Sequence, residues 1–325
     1  MARPLRIEYD GAWYHVINRG QERRKTFLQE SDYLSFLSLL KEISEIYFIE
    51  IHAFSLMPNH YHLLVHTPQA GLSLPMKYLN GVYTQLFNKK HKRDGALFRG
   101  RYKAIIVDTY DYLTELVRYI HQNPVKAHMC NKAEQHRWTS HQYYLKDIKN
   151  YEWLKTHAIL NEYGRQIINA RHQFDLMVKR NQPDDIVAEI ETHKNCIIGN
   201  DAFKEWVNNN YIDKSKREDT EFTRKEKDLK SEITAKKILS NIAFCYDVKV
   251  SQLREGKSGI KNEARTLAIY LLRQKKGYGF KEIAKWMNVQ NPNAIAQRLF
   301  KFKQRLKQNK QFAKKMNELE RAVMR

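Results

Sequence analysis

Two histidines in the first part of the chain have a spacing that could support metal chemistry. His60 and His62 follow the turn signal Pro58–Asn59 and open a run of β-branched and aromatic residues, which predicts a strand. Positions two apart in a strand face the same side, so both imidazoles should project together. Such a pair could hold one divalent cation. The alternative is that one histidine caps a turn and the other is a core residue, since this spacing is common.

A tyrosine and an asparagine further along could supply the rest of such a site. A helix is predicted from Tyr110 to about Gln122, and Pro124 is expected to end it. Tyr119 and Asn123 are four residues apart and share a helix face. An amide oxygen can complete a cation site, and a phenolate can attack a phosphodiester held there, so the residue types fit metal-assisted phosphoryl transfer. The alternative is packing, because the chain has 19 tyrosines and tyrosine suits half-buried faces.

Hydrophobic periodicity predicts the elements that must position these residues. The expected order is strand, helix, strand, strand, helix, strand, helix. An antiparallel sheet covered by helices is the economical arrangement, so the fold class is α+β. The strands are expected at 12–17, 48–57, 60 onwards and 97–107, and the helices after a cap at Ser31, at 74–89 and at 110–122.

Basic and aromatic residues alternate near the fourth predicted strand and the tyrosine helix. The cations are Arg99, Arg101, Lys103 and Lys126. They could stabilise a phenolate, because a phenol with an ordinary pKa of about 10 is mostly protonated at neutral pH. Their interleaving with Phe98 and Tyr102 favours a surface that follows the backbone of single-stranded DNA and stacks on its bases. The alternative for each cation is a solvated face.

The composition narrows the class of partner. The formal net charge is +21, which favours a polyanion such as nucleic acid, with a membrane surface as the rival. No apolar run approaches the length of a bilayer span, and the first residues lead into charge rather than into a signal-type apolar core. The three cysteines lie far apart, which fits reduced thiols. We therefore expect a soluble, intracellular, cytoplasmic protein with no membrane partner.

The rest of the chain predicts a separate helical unit. Residues 151–230 form an expected helical connecting segment and charged linker, and residues 231–325 are rich in amphipathic helix. A short helix at 280–287, a tight turn and a polar helix at 293–307 with Pro292 before it are typical of a helix-turn-helix. A plain helical bundle with a basic surface is the alternative. The candidates for contacting bases or phosphates are Asn293, Gln297, Arg298 and Lys301.

Four blocks of the first part, in this order, resemble single-tyrosine HUH transposases of the REP-associated (RAYT) kind. They are GAWYHV at 11–16, MPNHYHLLV at 57–65, RGRYK at 99–103 and RYIHQNPVKA at 118–127. The resemblance implies a ferredoxin-like (RRM-like) sheet and a catalytic domain over residues 1–150. One departure is Tyr61: the name HUH stands for histidine, hydrophobic residue, histidine, and the middle residue here is a tyrosine.

The resemblance also implies a site and a reaction. His60, His62 and Asn123 match the family's ligands for Mg²⁺ or Mn²⁺, and Tyr119 matches the nucleophile that forms a 5′-phosphotyrosine link. The implied substrate is single-stranded, hairpin-forming, REP-like DNA in a bacterial cell, where the protein would be associated with the nucleoid. Relatives work as monomers or homodimers.

Residues 231–325 resemble the C-terminal DNA-binding domain of the replication initiator DnaA, which implies double-stranded DNA as a second partner. The loop QNPN at 290–293 replaces that family's Arg-Asp-His-Thr signature, so the resemblance does not extend to DnaA boxes. Two functions stay open from the sequence. One is a metal-dependent enzyme that cuts and rejoins DNA strands. The other is a non-catalytic, sequence-specific DNA-binding regulator or replication-linked binder.

Overall fold

The chain divides into two compact units, Met1–Ile212 and Asp213–Arg325. The computed structural model describes residues 7–108, 111–180, 197–212, 235–255 and 260–324. The predicted charged linker, Tyr110 and Cys196 lie outside these residues. None of the helices in the described ranges combines the length and the apolar character needed to span a membrane.

The first unit is built on a five-stranded sheet with the strand order β2-β3-β1-β4-β5. The first four strands pair antiparallel, and β5 pairs parallel with β4. The sequential order β1-α1-β2-β3-α2-β4 on this sheet is the ferredoxin-like arrangement, so the predicted α+β fold is confirmed. The strands are β1 Ala12–Arg19, β2 Glu50–Met57, β3 His60–Thr67, β4 Lys103–Val107 and β5 Ile197–Ile198, with helices α1 Glu30–Tyr47, α2 Ser73–His91 and α3 Asp111–Lys126.

The two faces of the sheet are covered by different helices. Tyr61 points towards α1 and α2, since its ring lies 4.9 Å from that of Phe36 and its hydroxyl donates to Asn80 Oδ1 at 2.9 Å. On the opposite face Ile17 and Leu64 pack in one core cluster with residues of α3. We call this side of the sheet the α3 face.

Three predicted boundaries differ from the structure. Helix α1 begins at Glu30 with Gln29 as its N-cap, rather than after Ser31. Helix α3 continues through Pro124 to Lys126. Proline removes one backbone donor, but Met129 N–H still donates to Pro124 O at 2.9 Å and closes the last turn. The fourth strand is shorter than predicted because Gly100, with φ +77°, breaks the extended chain before Lys103.

Residues predicted as a connecting segment pack within the first unit. Leu154 forms a bridge with Ile51 of β2, and β5 extends the sheet. The remaining helices of this unit are α4 His141–Leu145, α5 His157–Leu160, α6 Ile167–Lys179 and α7 Asp201–Val207. The sheet that positions the histidines is therefore supported by chain well beyond α3.

The second unit is helical, as predicted. The predicted short helix, turn and longer helix are present as α11 and α12, with Asn291 as the N-cap and Pro292 in the first turn of α12. The final helix α13 is an element that the sequence patterns did not indicate. The helices are α8 Ala235–Cys245, α9 Val250–Arg254, α10 Ile260–Lys276, α11 Phe280–Trp286, α12 Pro292–Gln308 and α13 Lys310–Val323.

Candidate active site

His60 and His62 lie at the start of β3, directly after the turn at Pro58–Asn59. Strand β1 pairs Arg19 with His60 and Ile17 with His62. Residues directly opposite each other on neighbouring strands point to the same side, and Ile17 packs under α3. Both imidazoles therefore lie on the α3 face, with ring centroids 5.0 Å apart. They project together, as their spacing predicts.

Each imidazole uses the same ring nitrogen to contact a neighbouring side chain. His60 Nδ1 lies 2.7 Å from Asn59 Oδ1, and His62 Nδ1 lies 2.9 Å from His15 Nε2. Such bonds hold the rings in one orientation. Asn59 is itself held, because its Nδ2 donates to Arg23 O at 3.2 Å. The pair is thus arranged as histidine ligands of metals usually are.

The environment of His60 favours the neutral ring. Burial, followed by the nearby positive charge of Arg19, lowers the pKa of His60 to about 4. A neutral imidazole has a lone pair for a cation, whereas an imidazolium has none. At neutral pH this ring is therefore ready to act as a ligand.

Tyr119 lies beside His62 and His15, which are both buried. Its side chain is buried, and its ring meets those of His62 and His15 edge-on, at centroid distances of 5.7 and 5.9 Å. Asn123 follows one turn later, and its Nδ2 donates to Tyr119 O at 3.3 Å, which leaves its amide oxygen as a ligand atom. Imidazole nitrogens and an amide oxygen are ligand atoms that suit a divalent cation.

Two predicted cations lie close to this group. Lys126 Nζ is 5.0 Å from the centroid of the Tyr119 ring. Lys103 pairs with Ile17, which pairs with His62 on its other side, so these three residues form one row across the sheet. Lys103 is exposed. A phosphate at the histidines would therefore have basic side chains within reach.

The other two predicted cations lie at the end of β1. Arg99 N–H donates to Arg19 O at 2.8 Å, and Arg19 is the partner of His60 in the sheet. Arg19, Arg99 and Arg101 are all exposed. Arg19 was not among the sequence candidates, and it adds a cation beside the first histidine.

The predicted base-stacking surface of Phe98 and Tyr102 is wrong. The two side chains are only 5% and 7% exposed. Tyr102 alternates inward between the exposed Arg101 and Lys103, and the Phe98 ring lies edge-on to Tyr61 at 5.8 Å. The two aromatic side chains are buried beneath the basic residues, so the exposed surface here consists of basic side chains and not of aromatic rings.

Three of the four predicted DNA-contacting residues of the second unit border a groove of about 980 Å³. Gln297, Arg298 and Lys301 line it, and Lys301 is exposed. Arg298 is already engaged within the unit, since its guanidinium donates to the side chains of Asn262 and Thr266 of α10. The backbone N–H of Asn293 donates to the capping Asn291 Oδ1 at 3.0 Å. Arg298 would have to exchange its partners in order to read a base.

Two side chains that orient the ligand pair, Asn59 and His15, are not indicated as site residues by the sequence patterns. Asn59 was assigned only to a turn, although it directly precedes His60. His15 lies in the aromatic run of β1 and meets His62 diagonally, since the register pairs it with Leu64. Only the register of β1 against β3 could have indicated that contact.

Comparison with known proteins finds similarity in the first part of the chain. Residues 8–123 match the model of the family described as Transposase IS200 like. A curated protein of Haemophilus influenzae, provisionally named REP-associated tyrosine transposase, is 32% identical over 119 residues, which cover 33% of this chain and 66% of that protein. The match spans just under two thirds of the relative.

Two solved structures show a weaker likeness. One is titled as a REP-associated tyrosine transposase bound to a REP hairpin, with 17% identity, a TM-score of 0.37 and coverage of 43% of this chain and 82% of the other. The second, from Deinococcus radiodurans and provisionally described as a transposase, has 19% identity, a TM-score of 0.27 and coverage of 38% and 95%. At these TM-scores the two likenesses add nothing to the fold described above.

The sequence match includes the motif with both histidines and ends at Asn123, within the helix that also carries Tyr119. Three of the four blocks that suggested the resemblance lie wholly in the matched region, and the fourth lies partly in it. Residues 8–123 of this chain are therefore similar to the IS200-like transposase family, and the chain is similar to a REP-associated tyrosine transposase over 119 residues.

Proposed function

We propose that this protein is a metal-dependent transposase that cuts and rejoins single-stranded, hairpin-forming DNA through Tyr119. The observation that carries the proposal is the edge contact of the Tyr119 ring with His62, whose Nδ1 is bonded to His15. A candidate nucleophile thus lies beside a candidate metal ligand. A bacterial, cytoplasmic, nucleoid-associated setting is part of the proposal.

His60, His62 and Asn123 would hold the cation, Mg²⁺ or Mn²⁺. When bound, the ion would offset the negative charge that grows on a phosphate oxygen during transfer. The protein's part is to keep the two rings turned so that Nε2 faces the ion, through Asn59 and His15. The family's metal dependence and this donor set both support the assignment.

Tyr119 would carry the covalent step. Its phenolic oxygen forms a bond to phosphorus as the bond from phosphorus to the 3′-oxygen breaks, and the phenolic proton ends on the departing 3′-hydroxyl. The products are a 5′-phosphotyrosine and a free 3′-hydroxyl, and attack by a 3′-hydroxyl on the phosphotyrosine reverses the exchange. Lys126, 5.0 Å from the ring centroid, would favour the phenolate by its charge.

The proposed substrate is REP-like hairpin DNA. The distribution of cations supports a strand that runs past the start of β3, because Arg19, Arg99 and Lys103 are exposed along that end of the sheet. Phosphate contacts of this kind give affinity and position without sequence information. Recognition of the hairpin bases therefore requires further contacts, and double-stranded DNA at the groove of the second unit is a separate part of the proposal.

A second candidate function is a DNA-binding regulator with no catalytic step. The observation that favours it is the groove bordered by Gln297 and Lys301 in the second unit, beside a helix pair with helix-turn-helix order. Such a protein would need the second unit and not the tyrosine. The two candidates therefore make opposite predictions for a Tyr119 variant.

The deciding experiment is a covalent-adduct assay. The full chain is incubated with Mg²⁺ or Mn²⁺ and labelled hairpin strands and then run on a denaturing gel. We expect a DNA adduct that is lost with Tyr119→Phe and with chelation, but retained with Tyr112→Phe, which removes a phenol two turns earlier in α3. An adduct that survives Tyr119→Phe would overturn the proposal. Binding without any adduct would favour the regulator.

A further inference from the structure

A second group of metal-ligand side chains lies at the other end of β3 from His60. Glu50 of β2 is the direct partner of His66 in the sheet. Glu50 Oε2 lies 2.7 Å from His66 Nδ1 and 3.5 Å from His52 Nε2. One carboxylate oxygen and two imidazole nitrogens thus meet at a single point.

His52 lies on the same face of β2 as Glu50. The two residues are two apart in the strand, so alternation puts both on the α3 face with His66. The register between β2 and β3 pairs Ile51 with Val65 and then Ala53 with Leu64, so a β-bulge leaves His52 without an opposite residue and turns Ala53 to the α3 face as well. The ring of Trp13 confirms this placement, since its centroid lies 4.4 Å from that of His52 and 4.5 Å from that of His66.

His52 is an unusual residue to bury without a function. It is 1% exposed, and its two ring nitrogens make no well-formed hydrogen bond among the described residues. Buried polar atoms are normally satisfied, and an exception often marks a site for an ion or water. Glu50 Oε2 lies at a distance from His52 Nε2 that is longer than a usual charge-assisted hydrogen bond.

The spacing of the atoms fits a tetrahedral ion. Zinc binds histidine nitrogen and carboxylate oxygen at about 2.0–2.1 Å, so two ligands of one tetrahedral ion lie about 3.3 Å apart. The contact between Glu50 and His52, at 3.5 Å, is close to this value. The contact between Glu50 and His66 would have to lengthen, which Glu50 can accommodate because its side chain is 37% exposed. Solvent can supply a fourth ligand.

We propose that Glu50, His52 and His66 bind a divalent transition-metal ion of the zinc class, separately from the candidate active site. Two imidazoles with one carboxylate and a solvent ligand are a known ligand set for zinc. His66 is four residues beyond His62, or about 13 Å along the strand, so one ion cannot serve both groups. The ion would join β2, the edge strand of the four antiparallel strands, to β3.

The neighbourhood of His52 explains what such an ion would stabilise. Tyr144 Oη donates to His52 O at 2.8 Å, and Lys155 N–H donates to Ile51 O at 2.8 Å. The bulge is therefore where the chain after α3 crosses the edge of the sheet. An ion that binds only the folded state raises the free energy of unfolding. Here it would stabilise the contacts that Tyr144 and Lys155 make with β2.

The test measures zinc on the full chain in a background that lacks the first site. His60→Ala/His62→Ala removes the candidate active-site ligands, and bound zinc is then measured by equilibrium dialysis and elemental analysis. We expect one tightly bound zinc and a rise of several degrees in the unfolding temperature when ZnCl₂ is added. Added Glu50→Gln or His66→Gln should remove both effects. Asp175→Asn is the matched control, because Asp175 faces another buried histidine, His141, at 3.5 Å.

Two results would overturn the proposal. One is zinc retained after Glu50→Gln and His66→Gln but lost after Asp175→Asn, and the other is no zinc bound in the parent background. Should a variant fail to fold, Co²⁺ added to the parent gives a second measurement, since a tetrahedral site absorbs strongly in visible light and an octahedral surface ion does not. Adduct formation by Tyr119 should survive Glu50→Gln in the otherwise unchanged chain, which separates this test from that of the proposed function.

Discussion

His15 offers the sharpest test of how the candidate active site is oriented. Its side chain is fully buried and its Nε2 lies 2.9 Å from His62 Nδ1. His15→Phe keeps a ring in the core but removes this bond. Loss of a hydrogen bond to a metal-ligating histidine typically lowers metal affinity by about 10- to 100-fold, or about 1.4–2.8 kcal/mol. We therefore expect the Kd for Mn²⁺ to rise by that factor.

The assay is a titration of the full chain with Mn²⁺, followed by electron paramagnetic resonance, with the rate of adduct formation measured beside it. Since His15 should act only through His62, adduct formation should recover at saturating Mn²⁺. His15→Gln, which can still form a hydrogen bond, should recover part of the affinity. The reasoning fails if His15→Phe folds normally and binds Mn²⁺ as tightly as the parent chain.

Four further outcomes follow from the described contacts. Lys126→Met should slow adduct formation about two- to fivefold, as expected for an exposed cation–π contact of about 0.5–1 kcal/mol, in a single-turnover assay. Lys103→Ala should lower the slope of log affinity against log salt by about 0.7 for a single-stranded hairpin arm. Burial raises the pKa of Asp32, but hydrogen bonds from Lys90 and from the start of α1 outweigh it, and the pKa is lowered overall. Its stabilising contribution is then present above the ordinary carboxyl range and lost as pH falls, so Asp32→Asn should flatten acid unfolding followed by circular dichroism. Finally, a Tyr119→Phe chain mixed with a His62→Ala chain should form no adduct on a denaturing gel.

The parts of the site that depend on local spacing were predictable. His60 and His62 face one side because they are two apart in a strand, and Tyr119 and Asn123 share a face because they are four apart in a helix. The order of strands and helices was also enough for the fold, since few sheets accommodate it. These patterns involve only neighbouring residues, and no distant contact can change them.

The missed features depend on distant contacts. The bond between His15 and His62 and the position of Arg19 beside His60 require the register of β1 against β3. Phe98 and Tyr102 are aromatic in a basic stretch, and only the rest of the fold determines that they face inward. The bulge at His52 is likewise invisible in the sequence, because it exists only as a mismatch between two strands.

The position of Tyr119 depends both on the spacing of residues in α3 and on contacts of α3 with distant parts of the chain. His121, two residues after Tyr119, points to another side of the helix, where its Nε2 lies 2.6 Å from Ser140 Oγ, and Ser140 Oγ accepts from Phe54 N–H of β2 at 2.9 Å. One side of α3 is thus fastened to the sheet while the other presents Tyr119 to His62 of the same chain. A helix held in this way does not need to be exchanged with a second copy to bring phenol and imidazole together. We therefore propose that Tyr119 and His62 of the same chain act together, and this proposal requires that the mixed chains fail to complement each other.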